Sequence, residues 1–357
     1  MLDKAKLSSK LKEVVKHSFD SISQERFVAE RLWQEAIKDE TLFDRAKNAN
    51  GSLNLSFWEG SLGAKYAIEI KNDHYTLVAV DGSQIYPDRH QGTDCFLINV
   101  SEVILHYGQG RSGAKIESFP YVFSSDSEFD SDELVDCKRQ ELEFKHGLEV
   151  AKRVKSKTKN SVLLLFDGSL IFWHLQSKGE AIKKHFLKSY IQILNQCFEN
   201  GIFFASYISL PKSKDLISIL RFQAQNKNLF KFLTDSNIAD LFLQENECSN
   251  LFYSGAEIVK NYPDQLKTAF FYSKIKDEIV RIEIPVFVKP NLNFIKTTIF
   301  DQAQKGNGYP VGLSEAHEQA VVKNQERELF YTMIKSSKAF SKSILSRKMN
   351  SKNRPCI

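Results

Sequence analysis

The chain has 357 residues and a formal net charge of +5, and 42% of its residues are hydrophobic. This length and composition are those of a globular protein with one large or two ordinary domains. No window approaches the ~18 to 20 uncharged apolar residues of a membrane span, and the charged N-terminus has no signal-peptide core, so we expect a cytoplasmic protein. The five cysteines are scattered without a CxxC pair, which indicates neither a disulfide framework nor structural zinc.

The two ends of the chain differ in character from its middle. Residues 1 to about 50 carry apolar side chains at helical spacing, and a Gly/Asn/Ser break follows at 48–54. We therefore predict a helical N-terminal region over 1–60 and a main domain over 61–334. Residues 335–357 contain seven Lys or Arg and no acidic residue. Such a basic tail suits a nucleic-acid backbone, and a solvated helix is the alternative.

Two copies of one phrase stand out: an apolar run that ends in Asp-Gly-Ser, at 76–83 and at 162–169. A continuous apolar run predicts a strand buried on both faces, so each run brings one carboxylate, Asp81 or Asp167, to the edge of a sheet. The glycine permits a turn with positive φ. Two carboxylates on adjacent strands are what a divalent-metal phosphoryl-transfer site requires. The alternative is ordinary turn chemistry after a strand.

The elements around these phrases predict a fold. Strand-like runs at Tyr75–Val80, Cys95–Leu105 and Ile116–Phe123 follow one another closely. An acidic loop over 124–132 and a long helix over about 133–155 precede the second Asp-Gly-Ser strand. Three strands, a helix and a fourth strand with a carboxylate is the order of the RNase H-like fold. We predict an α/β protein whose mixed sheet has flanking helices and a fourth strand parallel to the first.

Later segments complete the prediction. Helices are predicted over Glu180–Asn200 and Ser213–Asn226, a buried strand over Ile202–Ile208, and a hairpin from Thr268–Lys274 and Ile279–Val288. A helical C-terminal extension is predicted to begin near Ser314, with this serine as its N-cap.

Two residues near the start of that helix are candidates for chemistry. His317 would lie in the first turn, where the helix dipole favours a neutral imidazole that can bind a metal or accept a proton. Tyr309, in the preceding Gly/Pro turn, could orient a phosphate or a metal-bound water. A histidine that only packs is the alternative for His317.

The helix before Asp167 offers a third carboxylate. Glu141 precedes Phe144 by three residues and so falls on the apolar stripe of this helix. Glu143 flanks the stripe, and Glu149 is placed less well. For any single glutamate, simple solvation is the alternative.

The chain resembles the NurA nuclease family from about Leu77 to Phe330. Six phrases in the family's order carry the resemblance: residues 80–90, 166–170, 206–211, 233–235, 280–285 and 308–317. The resemblance implies a manganese-dependent nuclease, a phosphodiester hydrolase with an RNase H-like core. Such an enzyme acts 5′ to 3′ on DNA ends and endonucleolytically on single strands.

The resemblance also implies a site of Asp, Glu, Asp, Tyr and His. Asp81, Asp167, Tyr309 and His317 carry over by motif. The family's glutamate has small or apolar residues four and eight positions later, a pattern that fits Glu143 better than Glu141. All of these except the tyrosine are expected to hold Mn²⁺, with Mg²⁺ as the alternative, because a carboxylate site that includes imidazole suits manganese.

Partners follow from the resemblance as well. The chain has no GxxxxGK[ST] motif, so it is not expected to hydrolyse ATP. The resemblance implies a homodimer that works with a HerA-type hexameric ATPase on DNA, in end resection for repair or in antiviral defence. A catalytically inactive DNA-binding or scaffold subunit of that complex is one alternative, and a different RNase H-like enzyme is another.

Four residues outside the expected metal site are candidates for DNA contacts. Arg281 and Lys212 would contact phosphates, and Tyr207 and Phe271 would stack on bases. For Arg281, an ion pair with Glu283 inside the hairpin is the alternative.

Overall fold

The computed structural model describes residues 3–49, 55–69, 74–87, 95–108, 113–124 and 132–336. Within these ranges the α-helices are α1 (Lys4–Ala36), α2 (Leu42–Asn48), α3 (Asp132–Lys155), α4 (Glu180–Glu199), α5 (Asp215–Gln223), α6 (Asp235–Ala239), α7 (Leu292–Lys305), α8 (Val311–Ala320) and α9 (Asn324–Ser336). The strands are β1 (Phe57–Trp58), β2 (Lys65–Ala67), β3 (Tyr75–Ile85), β4 (Cys95–Tyr107), β5 (Gly113–Ser124), β6 (Ser161–Asp167), β7 (Phe203–Ile208), β8 (Glu247–Ser249), β9 (Phe252–Tyr253), β10 (Thr268–Ile275) and β11 (Glu278–Pro285).

Several predicted features lie outside the described residues. These are the acidic loop between Ser124 and Asp132, the basic tail beyond Ser336, and the part of the first family phrase at 88–90. None of the helices in the described ranges combines the length and the apolar character needed to cross a membrane.

The chain divides into two compact units. The first comprises Met1–Lys71, Gly168–Gln176 and Ala205–Phe300, and the second comprises Asn72–Asp167, Ser177–Phe204 and Asp301–Ile357. Helices α1 and α2 confirm the helical character predicted for the N-terminal region. The domain boundaries at residues 60 and 334 stay a prediction.

The second unit contains a mixed sheet in the order β6-β3-β4-β5. Strand β3 pairs antiparallel with β4, β4 pairs antiparallel with β5, and β6 lies parallel to β3. Helix α3 provides the crossover that a parallel pair requires. The RNase H-like order predicted from the sequence is therefore confirmed, with the second carboxylate strand beside the first.

Helices α3 and α8 cover opposite faces of β3. Gly147 of α3 lies against the side chain of Val80, whereas Gly312 of α8 lies against Leu77 and Ala79. Because alternate residues of a strand point to opposite faces, these contacts place the two helices on opposite sides. The run Tyr75–Val80 is buried throughout, which explains why it shows no polar alternation.

The first unit has an antiparallel sheet in the order β1-β9-β10-β11-β7, and the short strand β8 pairs with β10 and β2. Its apolar core includes Trp33 of α1, Leu220 of α5 and Phe270 of β10. The hairpin predicted near residue 270 is confirmed as β10 and β11. The strands of two or three residues were not predicted, because so short a segment shows no periodicity.

Helix α7 was missed for a different reason. It contains Ile295, Thr297, Thr298 and Ile299, and a cluster of β-branched residues is typical of a strand. Ile295, Ile299 and Ala303 are nevertheless almost fully buried, four residues apart along one face of the helix. Tertiary packing of this stripe thus outweighs the local propensity.

We predict that Gly147→Val destabilises the protein by about 1–3 kcal/mol, the usual cost of overpacking a core. A Cβ at position 147 would already lie 3.1 Å from Leu164 Cδ1 and 3.2 Å from Phe166 Cε1. Urea unfolding measures the change. Gly113→Val is the control, because a Cβ at Gly113 has no atom within 4 Å. Equal stability of the two variants would contradict the close contact of α3 with the sheet.

Candidate active site

The two Asp-Gly-Ser phrases adopt different backbones. Strand β3 continues through its phrase to Ile85, and Asp81 pairs with Ser101 of β4. The turn predicted after Asp81 is therefore wrong, because pairing with β4 and burial of Ile85 extend the strand. In the second copy, β6 ends at Asp167 and Gly168 adopts a φ of +96°. Only this second phrase forms the predicted glycine turn.

Asp81 and Asp167 lie side by side on neighbouring strands. In the parallel pairing of β3 with β6, Val80 is opposite Phe166, and the two aspartates are the next residues along. Alternate residues of a strand share a face, so Asp81 lies on the same face as Leu77 and Ala79, against which α8 packs. Asp167 lies on that face too, because it alternates with Leu163 and Leu165, the partners of Leu77 and Ala79. The placement of two carboxylates on adjacent strands, predicted from the repeated phrase, agrees with this geometry.

His317 contacts Asp81. The Nδ1 atom of His317 lies 2.8 Å from Oδ2 of Asp81, and the histidine side chain is 66% exposed. His317 lies in the last turn of α8, since the helix begins at Val311 rather than near Ser314. The predicted first-turn position is wrong, and the helix dipole gives no reason for a neutral imidazole here.

A side chain of the preceding helix, α7, explains the earlier start of α8. The Oε1 atom of Gln302 accepts a hydrogen bond from the backbone N–H of Gly312, at 3.1 Å. This bond satisfies one of the free N–H groups of the first helical turn, so Ser314 is not needed as the N-cap. The buried Gln302 also donates to the hydroxyl of Tyr75, at 2.8 Å, and so joins α7, α8 and β3.

Tyr309 contacts the second aspartate. Its hydroxyl donates to Oδ2 of Asp167 at 3.1 Å. The turn before it is tight: Gly308 has a φ of +118°, and a Cβ on Gly306 would lie 1.9 Å from the carbonyl oxygen of Tyr309. The glycines at this turn are thus required for Tyr309 to reach Asp167.

Glu143 approaches from the other face, where Gly82 leaves room for it. A Cβ at position 82 would lie 2.6 Å from Oε1 of Glu143. This oxygen is inaccessible to solvent and accepts no hydrogen bond from the described residues, although 14% of the side chain is exposed. Arg139, one helical turn earlier, has Nε 3.7 Å from Oε1 and donates to the carbonyl of Gly82 at 2.9 Å. The sequence analysis did not single out Arg139. Its position four residues before Glu143, which places the two side chains on one face of a helix, was the only sequence signal for this pair.

Burial raises the pKa of Glu143 to about 8. The charges of Asp81 and Asp167 also raise this pKa, and Arg139 lowers it. Three carboxyl groups therefore repel one another with one nearby guanidinium to compensate. A divalent cation would remove this repulsion and favour the charged form of Glu143. The donor set of carboxylates and imidazole fits Mn²⁺ in its chemistry.

The alternative glutamate, Glu141, is engaged elsewhere. It pairs with Lys138 at 2.5 Å and accepts a hydrogen bond from Ser189 of α4. In the described part of the chain, no group of three or more His, Cys, Asp or Glu side chains is close enough to hold a metal as positioned. As positioned, Asp81 contacts His317, and Glu143 approaches from the opposite face of the sheet.

Three of the four predicted DNA contacts are wrong. Tyr207 and Phe271 are fully buried, and Arg281 is 2% exposed, so none of them can reach a base or a phosphate at the surface. Arg281 Nε instead pairs with Glu283 Oε1 at 2.7 Å, which confirms the ion pair given above as the alternative for this arginine. Lys212 is exposed.

Comparison with known proteins defines the family. A family model of the NurA domain matches residues 75–322, so the chain belongs to the NurA family. A search of curated proteins gives no match.

Solved structures of NurA are similar to the chain at low identity. A crystal structure of NurA is 12% identical in sequence to this chain and superposes with a TM-score of 0.47. The match covers 92% of this chain and 98% of the NurA chain. A crystal structure of NurA with manganese has 11% identity and a TM-score of 0.44, and the match covers 91% of this chain and 99% of the NurA chain. NurA bound to dAMP and manganese has 12% identity and a TM-score of 0.40, with coverages of 94% and 99%. The family assignment rests on the domain match.

We predict that Mn²⁺ stabilises the protein through Glu143. At about 100 times its Kd, a bound ligand stabilises the folded state by about 2.7 kcal/mol. Glu143→Gln should lose most of this gain, yet unfold close to the wild type in EDTA, because the amide resembles a protonated carboxyl group and the pKa of Glu143 is raised to about 8. Thermal unfolding with and without Mn²⁺ measures both quantities.

Glu141→Gln is the matched control and should keep the manganese-dependent gain. If Glu141→Gln loses the gain and Glu143→Gln keeps it, the assignment of the third carboxylate is reversed.

Proposed function

We propose that this protein is a metal-dependent deoxyribonuclease that hydrolyses phosphodiester bonds. The observation that carries the proposal is the pair Asp81 and Asp167, side by side on two parallel strands in a NurA domain. The raised pKa of Glu143 supports it, since a buried carboxylate beside two others is typical of a cation site.

Asp81, Glu143, Asp167 and His317 would hold Mn²⁺, with Mg²⁺ as the second candidate. When bound, the cation supplies an activated water and neutralises charge on the leaving 3′ oxygen.

The chain's own residues orient this machinery. His317 fixes the Oδ2 atom of Asp81, and the Tyr309 hydroxyl fixes that of Asp167. Arg139 holds the backbone of Gly82 and partly compensates Glu143. The proposal therefore gives Tyr309 a catalytic role in orienting the reacting phosphate or water, and gives Arg139 a positioning role.

The finer proposal concerns substrate and partners. We propose 5′ to 3′ exonuclease activity on DNA ends and endonuclease activity on single strands, by a cytoplasmic homodimer that works with a HerA-type hexameric ATPase. The missing GxxxxGK[ST] motif supports a separate motor, because movement along duplex DNA needs ATP hydrolysis. Repair and antiviral defence are both compatible with this activity. A catalytically inactive DNA-binding or scaffold subunit is the competing candidate.

We predict that Asp81→Ala lowers cleavage of labelled single-stranded DNA by about 10³-fold, because metal-ion catalysis contributes several kcal/mol to the stabilisation of the transition state. The assay compares Mn²⁺, Mg²⁺ and EDTA, and EDTA should abolish cleavage by the wild type. Asp277→Asn, which changes an exposed carboxylate in the β10–β11 turn, is the control and should cut normally. Equal cleavage by wild type and Asp81→Ala would disprove the catalytic assignment.

We predict that resection of blunt duplex DNA requires a HerA-type ATPase and ATP, whereas cleavage of single strands does not. Substrates labelled at the 5′ or the 3′ end report polarity, and 5′ to 3′ action should release the 5′ label first. A complex with Asp81→Ala should hydrolyse ATP without resecting. If neither the wild type nor its complex cuts any DNA in Mn²⁺, the scaffold alternative is correct.

A further inference from the structure

The first unit contains a cavity of about 480 Å³, a size typical of small-molecule sites. The residues that line it include Ser169, Trp173, Pro211, Lys212, Ser218 and Arg281. The lining thus combines an aromatic ring, hydroxyl groups and charged side chains. None of these residues belongs to the proposed metal site.

Trp173 is presented on this cavity by a well-anchored segment. Its side chain is 43% exposed, whereas the other two tryptophans of the chain, Trp33 and Trp58, are buried. The residues before it are fixed by Tyr262, whose hydroxyl donates to the carbonyl of Leu170 at 3.0 Å and accepts from the N–H of Phe172 at 3.2 Å. A large apolar ring is therefore held at the surface rather than packed in the core.

The polar side of the cavity is equally well ordered. Arg281 pairs through Nε with Glu283 at 2.7 Å and through Nη1 with Asp215 at 2.6 Å. Its Nη2 atom is buried and has no hydrogen-bond partner among the described residues. Glu283 in turn accepts hydrogen bonds from the Ser169 hydroxyl at 2.9 Å and from the N–H of Leu170 at 2.7 Å. Burying this network costs desolvation energy, and within the described part of the chain the Nη2 atom of Arg281 is left as an unsatisfied hydrogen-bond donor in the lining of the cavity.

The charge of the lining limits what the cavity can take. Two of the three cationic side chains in the lining are already engaged: Arg281 is paired with Asp215 and Glu283, and the Nζ atom of Lys214 donates to the carbonyl oxygens of Phe230 and Lys231. A phosphate is therefore better placed beside the exposed Lys212 than in the interior. A purely apolar ligand would leave these polar groups without water. A planar ring with hydrogen-bonding edges satisfies both conditions, and an attached phosphate would then lie beside the exposed Lys212.

We propose that this cavity binds one nucleotide of a DNA single strand, with its base stacked on Trp173 and its phosphate contacted by Lys212. Stacking on an aromatic side chain is the usual way in which proteins hold unpaired bases, and a lysine neutralises the backbone. Trp173 follows Asp167 by six residues in the chain. The inference rests on the proposed function, because it takes the substrate to be a DNA strand.

The test uses the full-length protein in EDTA, where no cleavage occurs. A single-stranded decanucleotide is titrated while tryptophan emission is recorded, and Trp173 should be the tryptophan that the bases quench because the other two are buried. Trp173→Ala should abolish the quenching and weaken binding by about 5- to 150-fold, the effect of losing one stacked base. Trp173→Phe should restore most of the affinity.

Two further variants sharpen the result. Lys212→Ala should weaken binding and reduce the slope of log affinity against log salt by about one unit. Phe232→Ala, which removes a 50% exposed aromatic ring of the same unit that does not line the cavity, should bind like the wild type. Circular dichroism of each variant verifies that it is folded.

The outcomes separate this inference from the proposed function. Unchanged affinity of Trp173→Ala, with no quenching in the wild type, overturns the inference even if the wild type cuts DNA in Mn²⁺. If the bases quench the wild type and Trp173→Ala abolishes this quenching, the inference is supported even when the wild type cuts no DNA. In that case the nuclease proposal fails, and the inference stands.

Discussion

The close approach of α3 to β3 and β6 is the constraint on which the candidate site depends. Gly147 brings the helix against the sheet, and Gly82 leaves the space that the Glu143 carboxylate occupies. Burying such a carboxylate costs a few kcal/mol. The same helix buries Phe144, Leu148 and other apolar residues, each contributing about 1.5–3 kcal/mol, so helix packing exceeds that cost. The fold can therefore hold Glu143 in a position that its charge alone would disfavour.

The two aspartates are held in place by opposite means. Asp81 lies inside a strand that continues, so pairing with β4 on one side and β6 on the other fixes its backbone. Asp167 ends its strand, and Gly168 turns the chain away at once. Each carboxylate also has its own partner from the C-terminal segment, His317 for Asp81 and Tyr309 for Asp167. Identical phrases thus supply equivalent carboxylates on dissimilar backbones.

The sequence predicted what local patterns encode. The order from β3 to β6 follows from apolar runs and one helical stripe, and the two aspartates follow from where those runs end. The start of α8 could not be predicted, because its free N–H group is satisfied by Gln302, a residue of another helix. The preference for Glu143 over Glu141 came from the family pattern. The observations that support this preference, the space above Gly82 and the contact of Glu141 with Ser189, exist only in three dimensions.

Two of the family phrases outside the candidate site, 233–235 and 280–285, contribute to one buried network. Asp235 accepts hydrogen bonds from the N–H groups of Asp215 and Ile217, at 2.6 and 3.0 Å, and so caps α5. Arg281 pairs with Asp215 and lies with its Cζ 3.6 Å from the centre of the Phe270 ring. These charges support the fold from inside, which is why they cannot act as surface contacts. The DNA contacts that we propose for this unit therefore use exposed side chains, Trp173 and Lys212.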